Sequence, residues 1–225
     1  MATYTKEEDV ATTQEDDPQA RGTLKEVFGN TARWSADFTG FTANVTVNIN
    51  GSQVSGAITV KGPKEIEHSI EGEGHEEFLS ENMASIAMHR GPRSFEESDG
   101  KYKLVFLDDG SHPQGCAISM GGDGMNSFYR IKDGRIHQIN RKSPHVSFTI
   151  NVEESVKNAE GKYLTHKYTV YYFDPKNGSL KDVESYTDNY TRVGNFDLPE
   201  FRRVINAEGG TVKTTFMKLD NHKLL

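Results

Sequence analysis

From Phe41 the chain alternates without a break. Phe41, Ala43, Val45, Val47 and Ile49 fall in one phase, and Thr42, Asn44, Thr46, Asn48 and Asn50 in the other. Successive side chains of a strand point to opposite faces, so the pattern predicts a strand with one apolar and one wet face. Asn50-Gly51 follows, a pair that supplies the positive backbone dihedrals of a tight type I′ turn. The pattern resumes from Ser52 with Val54, Ile58 and Val60, which completes a hairpin. The apolar face of this hairpin must be covered, either by a helix or by a ligand.

Two stretches have helical spacing. Asp17-Pro18 offers an N-cap followed by proline at the first helical position. Leu24, Val27, Phe28 and Ala32 then recur at helical intervals, predicting a helix over 18–33 that Gly22 and Gly29 weaken. Trp34 to Gly40 reads as a loop leading into the hairpin. Beyond it, Ile66, His68 and Ile70 alternate again. A second helix is predicted over 74–90, with Leu79, Met83, Ile86 and Ala87 as its apolar face. Glu71, Glu73, Glu76 and Glu77 crowd its start, where the helix dipole favours anions. His89 and Arg90 sit at its end, and Gly91-Pro92 stops it.

From Ser94 onward the pattern is nearly all strand. Tyr102, Leu104 and Phe106 alternate before a turn at Asp108-Asp-Gly110. Ala117 and Ile118 mark another strand, followed by Gly121-Gly-Asp-Gly124. Phe128 to Ile139 contains a second hairpin signal at Asp133-Gly134. Further strands are read at 146–150, 167–173, 183–193, 199–206 and 210–218, the last two joined at Glu208-Gly-Gly210. Ten or eleven short strands with two helices among the early ones predict an α+β, mainly β fold built on one large antiparallel sheet. A sheet this long tends to curl. The expectation is a curved half-barrel wrapped around one or two helices. Residues 1–17 are expected to form a disordered acidic tail and 18–225 a single β-rich domain.

Charge refines this picture. Residues 1–20 carry one base, Lys6, against six acids, a net of −5, which leaves the remainder at only −2. An acidic tail on a near-neutral body lacks the basic footprint that nucleic-acid binding needs. One cysteine, Cys116, excludes an intramolecular disulfide and fits a reducing compartment. As a strand residue it reads as a small buried hydrophobe rather than a nucleophile. No stretch approaches the ~20 apolar residues of a membrane span, so stable membrane insertion is not expected. The first ten residues have no apolar signal core and are acidic where a transit peptide would be basic. The chain is therefore expected to be soluble and cytoplasmic, although a processed form of a longer precursor would read the same way. The Asn-x-Ser/Thr triplets at Asn44, Asn177 and Asn189 are then chance occurrences.

Motifs that would carry chemistry are incomplete. His75-Glu76-Glu77 resembles the start of a zinc helix, but position 79 is Leu where the second histidine would stand. The eight histidines show no ligand spacing, and no metal or cofactor is expected. Gly121–Gly124 lacks the Lys and the following helix of a phosphate cradle. Asp108-Asp-Gly110 lacks the later glutamate of a helical calcium loop. No Gly-x-Ser-x-Gly elbow is present. The pairs Glu96-Glu97 and Glu153-Glu154 point to opposite faces if on strands, which makes them poor acid/base partners.

Two features remain. His89-Arg-Gly-Pro-Arg-Ser-Phe-Glu-Glu97 places arginines, a histidine and carboxylates across the exit of the second helix. Arginine forks grip carboxylates and phosphates, so this segment reads either as an anion contact at a pocket rim or as a structural ion-pair cluster. The late aromatics, Tyr163, Tyr168, Tyr171, Tyr172, Phe173, Tyr186 and Tyr190, read either as pocket lining or as ordinary strand packing. Candidate ligand-binding residues are His89, Arg90, Arg93, Glu96, Tyr186 and Tyr190; none is assigned a catalytic role.

Several blocks together resemble a known family. They are Leu24 to Val45, His89 to Lys101, Gln138-Ile-Asn-Arg141 with Phe148-Thr-Ile-Asn151, and Tyr186 to Pro199. In order and spacing they are similar to domain-of-unknown-function family 3386, β-rich proteins of cyanobacteria and other bacteria, over about residues 24–206. The resemblance implies no activity and no site residues. It implies a fold similar to lipoprotein-carrier half-barrels, in which a curved sheet holds a helical plug. Three functional readings stay open. The leading one is a non-enzymatic binding or carrier-like protein with a hydrophobic concavity for a lipid-like or other apolar small molecule. The second is an enzyme with a site around His89, Arg90, Arg93 and Glu96. The third is a protein–protein interaction module using the sheet. Ligand identity and oligomeric state are not readable from the chain.

Overall fold

The computed structural model describes residues 15–121 and 126–225. The expected acidic tail lies outside the described residues as far as residue 14, as do Gly122 to Gly124 of the glycine-rich segment. The described residues form helices α1 (Pro18–Asn30) and α2 (His75–Arg90) and twelve strands: β1 (Phe41–Ile49), β2 (Ser52–Gly62), β3 (Glu65–His68), β4 (Lys103–Phe106), β5 (Cys116–Gly121), β6 (Asn126–Lys132), β7 (Arg135–Lys142), β8 (Ser147–Lys157), β9 (Tyr163–Phe173), β10 (Leu180–Val193), β11 (Phe196–Glu208) and β12 (Thr211–Leu224). The fold is mainly β, as the pattern predicts, with slightly more strands than the ten or eleven expected. The strands hydrogen-bond in the order β3-β2-β1-β12-β11-β10-β9-β8-β7-β6-β5-β4 in an antiparallel sheet.

The tight turns set the register. Asn50 and Gly51 have φ of 49° and 97°, and Ile49 pairs with Ser52 across them. Asp133 and Gly134 (φ 52° and 69°) do the same between Lys132 and Arg135. Gly209 and Gly210 (φ 56° and 80°) join Glu208 to Thr211. Each turn needs positive φ at both central positions, which these residue types tolerate.

The chain divides into two compact units. One comprises the described residues up to Thr31 with Ser94–Leu164 and Tyr168–Val183; the other comprises Ala32–Arg93, Thr165–Lys167 and Glu184–Leu225. Among the described residues each contains one α-helix, and they are called the α1 unit and the α2 unit.

In the α2 unit, His75, Leu79, Met83, Ile86, Ala87 and Arg90 lie along one buried stripe of α2. This stripe meets the apolar phase of β1. Phe41, Val45 and Val47 are at most 1% exposed, and Met217 and Leu219 of β12, which pair with Val47 and Val45, join the same cluster. The hairpin face that could have met a helix or a ligand therefore meets α2. Trp34 closes one end of this core. Its ring stacks on Phe38 at 4.2 Å, and its indole N–H donates to the Asp197 carbonyl at 3.0 Å.

In the α1 unit, Asp17 caps α1 by accepting from the N–H groups of Gln19 (2.8 Å) and Ala20 (3.3 Å). Asp16, expected in the disordered tail, is instead fixed. It pairs with Arg21 at 2.6 Å and accepts from the Leu104 N–H at 2.9 Å. α1 ends at Asn30 rather than at 33, because Thr31 turns to extended backbone and bridges to Tyr163. Ala20, Leu24 and Val27 form the buried stripe of α1, packed with Leu104, Ile118, Met120, Tyr129 and Ile131.

Candidate functional site

The α2 unit brings together Arg90, Tyr190 and Tyr186 of the predicted site, and adds residues that sequence reasoning missed. Tyr186, Asp188 and Tyr190 share a phase of β10, so they lie on one face. Arg202 of β11 pairs in register with Met217, and therefore sits in the phase that faces the core. Its fork grips Asp188 with both arms, Nε to Oδ1 at 2.8 Å and Nη2 to Oδ2 at 2.6 Å, and both residues are more than nine-tenths buried. Arg202 also donates to Asn82 Oδ1 of α2 at 3.3 Å and lies over the Tyr186 ring at 5.1 Å. Arg90 donates to the Ala32 carbonyl at 3.0 Å and to the Tyr190 hydroxyl at 2.8 Å, with its cation over the tyrosine ring at 4.9 Å. His166 Nδ1 is bonded to the Asp188 carbonyl. Burial pushes the Tyr190 phenol up, so it stays neutral and donates.

This arrangement is committed internally. A buried ion pair is tolerated when its geometry is good and its remaining donors are satisfied. Here the bidentate pairing, the asparagine and the tyrosines do that, and the network fixes α2 to β10 and β11. The remaining predicted residues are placed otherwise. His89 keeps a solvent-exposed edge, and its Nδ1 is 2.7 Å from the Ser85 carbonyl one turn back; crowding of the rest of its ring by protein, followed by the Arg93, Arg202 and Arg90 charges, lowers its pKa against the opposing Ser85 bond. Arg93 is exposed and donates to the Met88 carbonyl at 2.7 Å. Glu96 belongs to the α1 unit and pairs with Lys25 at 2.6 Å. The segment around the exit of α2 is thus not one ion-pair cluster: its two arginines bond carbonyls and a phenol, Glu96 pairs with Lys25, and Glu97 accepts from the Ser94 hydroxyl.

Other suggestive motifs also have structural partners. Asp108 accepts from the Gly110 and Ala117 N–H groups and pairs with Arg130 at 2.7 Å, which completes a turn rather than an ion site. The ring nitrogens of His75 lie 3.1 Å and 3.0 Å from the Glu73 and Ser52 carbonyls. The Cys116 thiol is partly buried near the Ile131 carbonyl, and burial pushes its pKa up. Among the described residues no group of three or more His, Cys, Asp or Glu side chains is arranged to hold a metal, and no helix is long and apolar enough to cross a membrane.

The α1 unit contains the less finished surface. In register, Phe106 pairs with Ile118, Ile118 with Tyr129, Tyr129 with Ile139, and Ile139 with Ile150. Paired residues share a face, so this is one apolar row across five strands. Phe106 at the β4 end is partly buried, and from Ile118 onward burial falls along the row. Ile118 is 0% exposed and Tyr129 5%, while Ile139 and Ile150 are only partly buried. The buried cluster under α1 takes in Ile139 but not Ile150 or Phe148. Phe148, on the same face as Ile150, continues the strip to Tyr172 of β9 with ring centroids 6.1 Å apart. The opposite face is polar. Gln114, Gln138, Asn140, Thr149 and Asn151 form a chain of side-chain hydrogen bonds from 2.7 to 3.3 Å.

A cation borders the apolar strip. Arg141 pairs with Phe148 on one side and Ser127 on the other. It donates to the Tyr129 hydroxyl at 2.7 Å and lies 5.3 Å from that ring, while Tyr129 donates to Asp99 at 3.3 Å. Sequence reasoning placed Arg141 only within a family block. The signal available was a charged residue in the phase of Ile139.

Comparison with solved structures finds a LolA superfamily protein from Nitrosomonas europaea at 10% identity and a TM-score of 0.37, covering 92% of this chain and 93% of that one. It also finds a putative outer membrane lipoprotein-sorting protein domain from Vibrio parahaemolyticus, at 10% identity and TM-score 0.33, covering 92% of each chain. A DUF1329 family protein from Desulfovibrio piger has 8% identity and TM-score 0.27 over 94% of each chain. Likeness at this level carries no argument about function. No curated protein matches the chain. The family model described as "Protein of unknown function (DUF3386)" matches residues 15–225, and the chain belongs to that family.

Proposed function

We propose that the protein is a non-enzymatic binding or carrier-like protein, and that it receives a lipid-like or other apolar ligand on the strip formed by Ile139, Phe148, Ile150 and Tyr172 in the α1 unit. One observation carries this reading. The apolar row from Ile118 to Ile150 passes from complete to partial burial without changing its chemistry. Apolar side chains that continue a core beyond its cover gain about 25 cal/mol for each Å² removed from water. Contiguous patches of this kind mark binding surfaces. The equivalent face in the α2 unit offers no such strip at β1, because α2 fills it.

Uptake of Nile red tests the reading. The protein is expected to bind the dye saturably with a blue-shifted emission, and Ile150→Asp is expected to abolish this while leaving far-UV circular dichroism unchanged. Native mass spectrometry of gently purified protein, with solvent extraction, reports any adduct carried through purification. Absence of saturable uptake, or undiminished uptake by Ile150→Asp, would overturn the proposal.

A further inference from the structure

Building on the proposed apolar-ligand reading, we infer that the ligand is a single-chain anionic amphiphile, a long-chain carboxylate whose head group is held by Arg141 and Ser127. Arg141 is partly buried, and among the described residues no carboxylate lies within ion-pair distance of its guanidinium. Its hydrogen bond goes to the Tyr129 hydroxyl. Ser127 stands directly across the strand pair from it, is 3% exposed, and its hydroxyl has no hydrogen-bond partner among the described residues. A buried hydroxyl left unsatisfied costs about 1–3 kcal/mol and calls for an explanation. Residues directly opposite in an antiparallel pair have Cβ atoms about 4.5–5.5 Å apart. The two side chains therefore leave the sheet side by side, and in this assignment one small anion takes a donor from each.

The donor set favours a carboxylate. A guanidinium arm and one hydroxyl match two carboxylate oxygens. A phosphate dianion would call for more positive charge, and Asp99, one hydrogen bond beyond Tyr129, adds a negative one. The polar end and the apolar strip are continuous, since Arg141 pairs with Phe148 and Phe148 meets Tyr172. From β6, which bears Ser127, to β9, which bears Tyr172, is three strand spacings, about 14 Å. That is a length an alkyl chain can cover with its head at Ser127 and Arg141.

Fluorescence titration with cis-parinaric acid and with its methyl ester tests this, because the two share a tail and differ in the head group. The protein is expected to bind the acid at least tenfold more tightly than the ester. Arg141→Gln is expected to bring the acid down to the level of the ester while leaving ester binding unchanged, which also shows that the strip is intact. Ser127→Ala is expected to weaken the acid several-fold and the ester not at all. Equal binding of acid and ester by the unaltered protein would overturn the head-group assignment and leave the apolar reading standing. So would an Arg141→Gln variant that still prefers the acid. Binding of neither probe would overturn both.

Discussion

Both units set one helix against antiparallel strands, yet the faces so covered end differently. Under α2, the apolar phase of β1 is matched residue for residue. Leu79 and Met83 are 0% exposed, as are Phe41, Val47, Met217 and Leu219. Where the core gives way to charge, Arg202 and Asp188 neutralise one another in a bidentate pair. Under α1 the match stops at Ile139, and among the described residues the arginine at that margin bonds only a phenol. Among the described residues, Arg202 at the first margin is paired with a carboxylate and Arg141 at the second is not, while Arg90 of the α2 unit, like Arg141, bonds a phenol. A closed margin holds the fold. An open one is suited to holding something else.

The sharpest way to break this comparison is to unpair the closed margin. Asp188→Ala leaves Arg202 buried without its counter-charge and is expected to cost about 3–5 kcal/mol. Trp34, the one tryptophan, lies in the α2 core, so urea unfolding followed by its fluorescence reads that unit directly. The double variant Asp188→Leu with Arg202→Met is expected to regain most of the loss, because a well-packed apolar pair can replace a buried ion pair. If Asp188→Ala loses less than about 1 kcal/mol, an ordinary surface pair, the closed margin is not what it is described to be.

Next in size is the contrast between cores. Leu79→Ala is expected to cost about 2–5 kcal/mol, the range for truncating a fully buried leucine. Ile150→Ala is expected to cost well under that, about 1 kcal/mol, since the side chain is only partly removed from water. Equal losses, measured by urea denaturation of both variants, would show the strip to be a finished core and would remove the support for ligand binding there.

Much of the fold was legible because its signals are local. Asn50-Gly51, Asp133-Gly134 and Gly209-Gly210 fixed three hairpins through the positive φ they supply, and the stripe of Leu79, Met83, Ile86 and Ala87 announced α2. The site was less legible because its pairings are not local. Arg202 meets Asp188 across fourteen residues, and Glu96 meets Lys25 across seventy-one. Partners across strands depend on register, which no single segment encodes. Arg90 and Tyr190 were singled out separately, the one for its anion-gripping fork and the other as one of several strand tyrosines; their direct contact could not have been read from either segment. Arg202 left a trace only as a charge in an apolar phase, and the orphaned hydroxyl of Ser127 left none.

A smaller effect concerns how the α1 unit begins. Asp17 accepts two N–H groups of the first turn of α1 and its own N–H donates to the Leu104 carbonyl at 2.8 Å. Asp17→Ala is expected to cost about 1 kcal/mol, seen as a lower urea midpoint by circular dichroism with the Trp34 transition less affected. A loss confined to the Trp34 signal would contradict the assignment of this cap to the α1 unit.

The smallest expected effect is the pH response, in which the carboxylate window belongs to the α1 unit and the histidine window is shared. In the α1 unit, Asp16 is held below the ordinary carboxylate value of 3.8, first by the Arg21 hydrogen bond. Burial pushes Asp108 upward, but the hydrogen bonds from Arg130, Ala117 and Gly110 outweigh it, and its pKa is also lowered. A lowered carboxylate pKa means that the unfolded chain takes up the proton first. The stability these groups contribute is present above 3.8 and is lost as the pH falls through their folded values. In the α2 unit the group is a base. His89 is lowered from 6.5, so the unfolded chain again binds the proton first, and stability falls as the pH drops from about 6.5 toward the folded value. His137, lowered by burial and then by Arg135, gives the α1 unit a share of that same window. The Trp34-monitored midpoint is therefore expected to decline between pH 7.5 and 5.5, and His89→Gln to flatten the decline by removing the proton uptake by His89. A midpoint that declines as steeply in His89→Gln as in the unaltered chain would place the titrating group elsewhere.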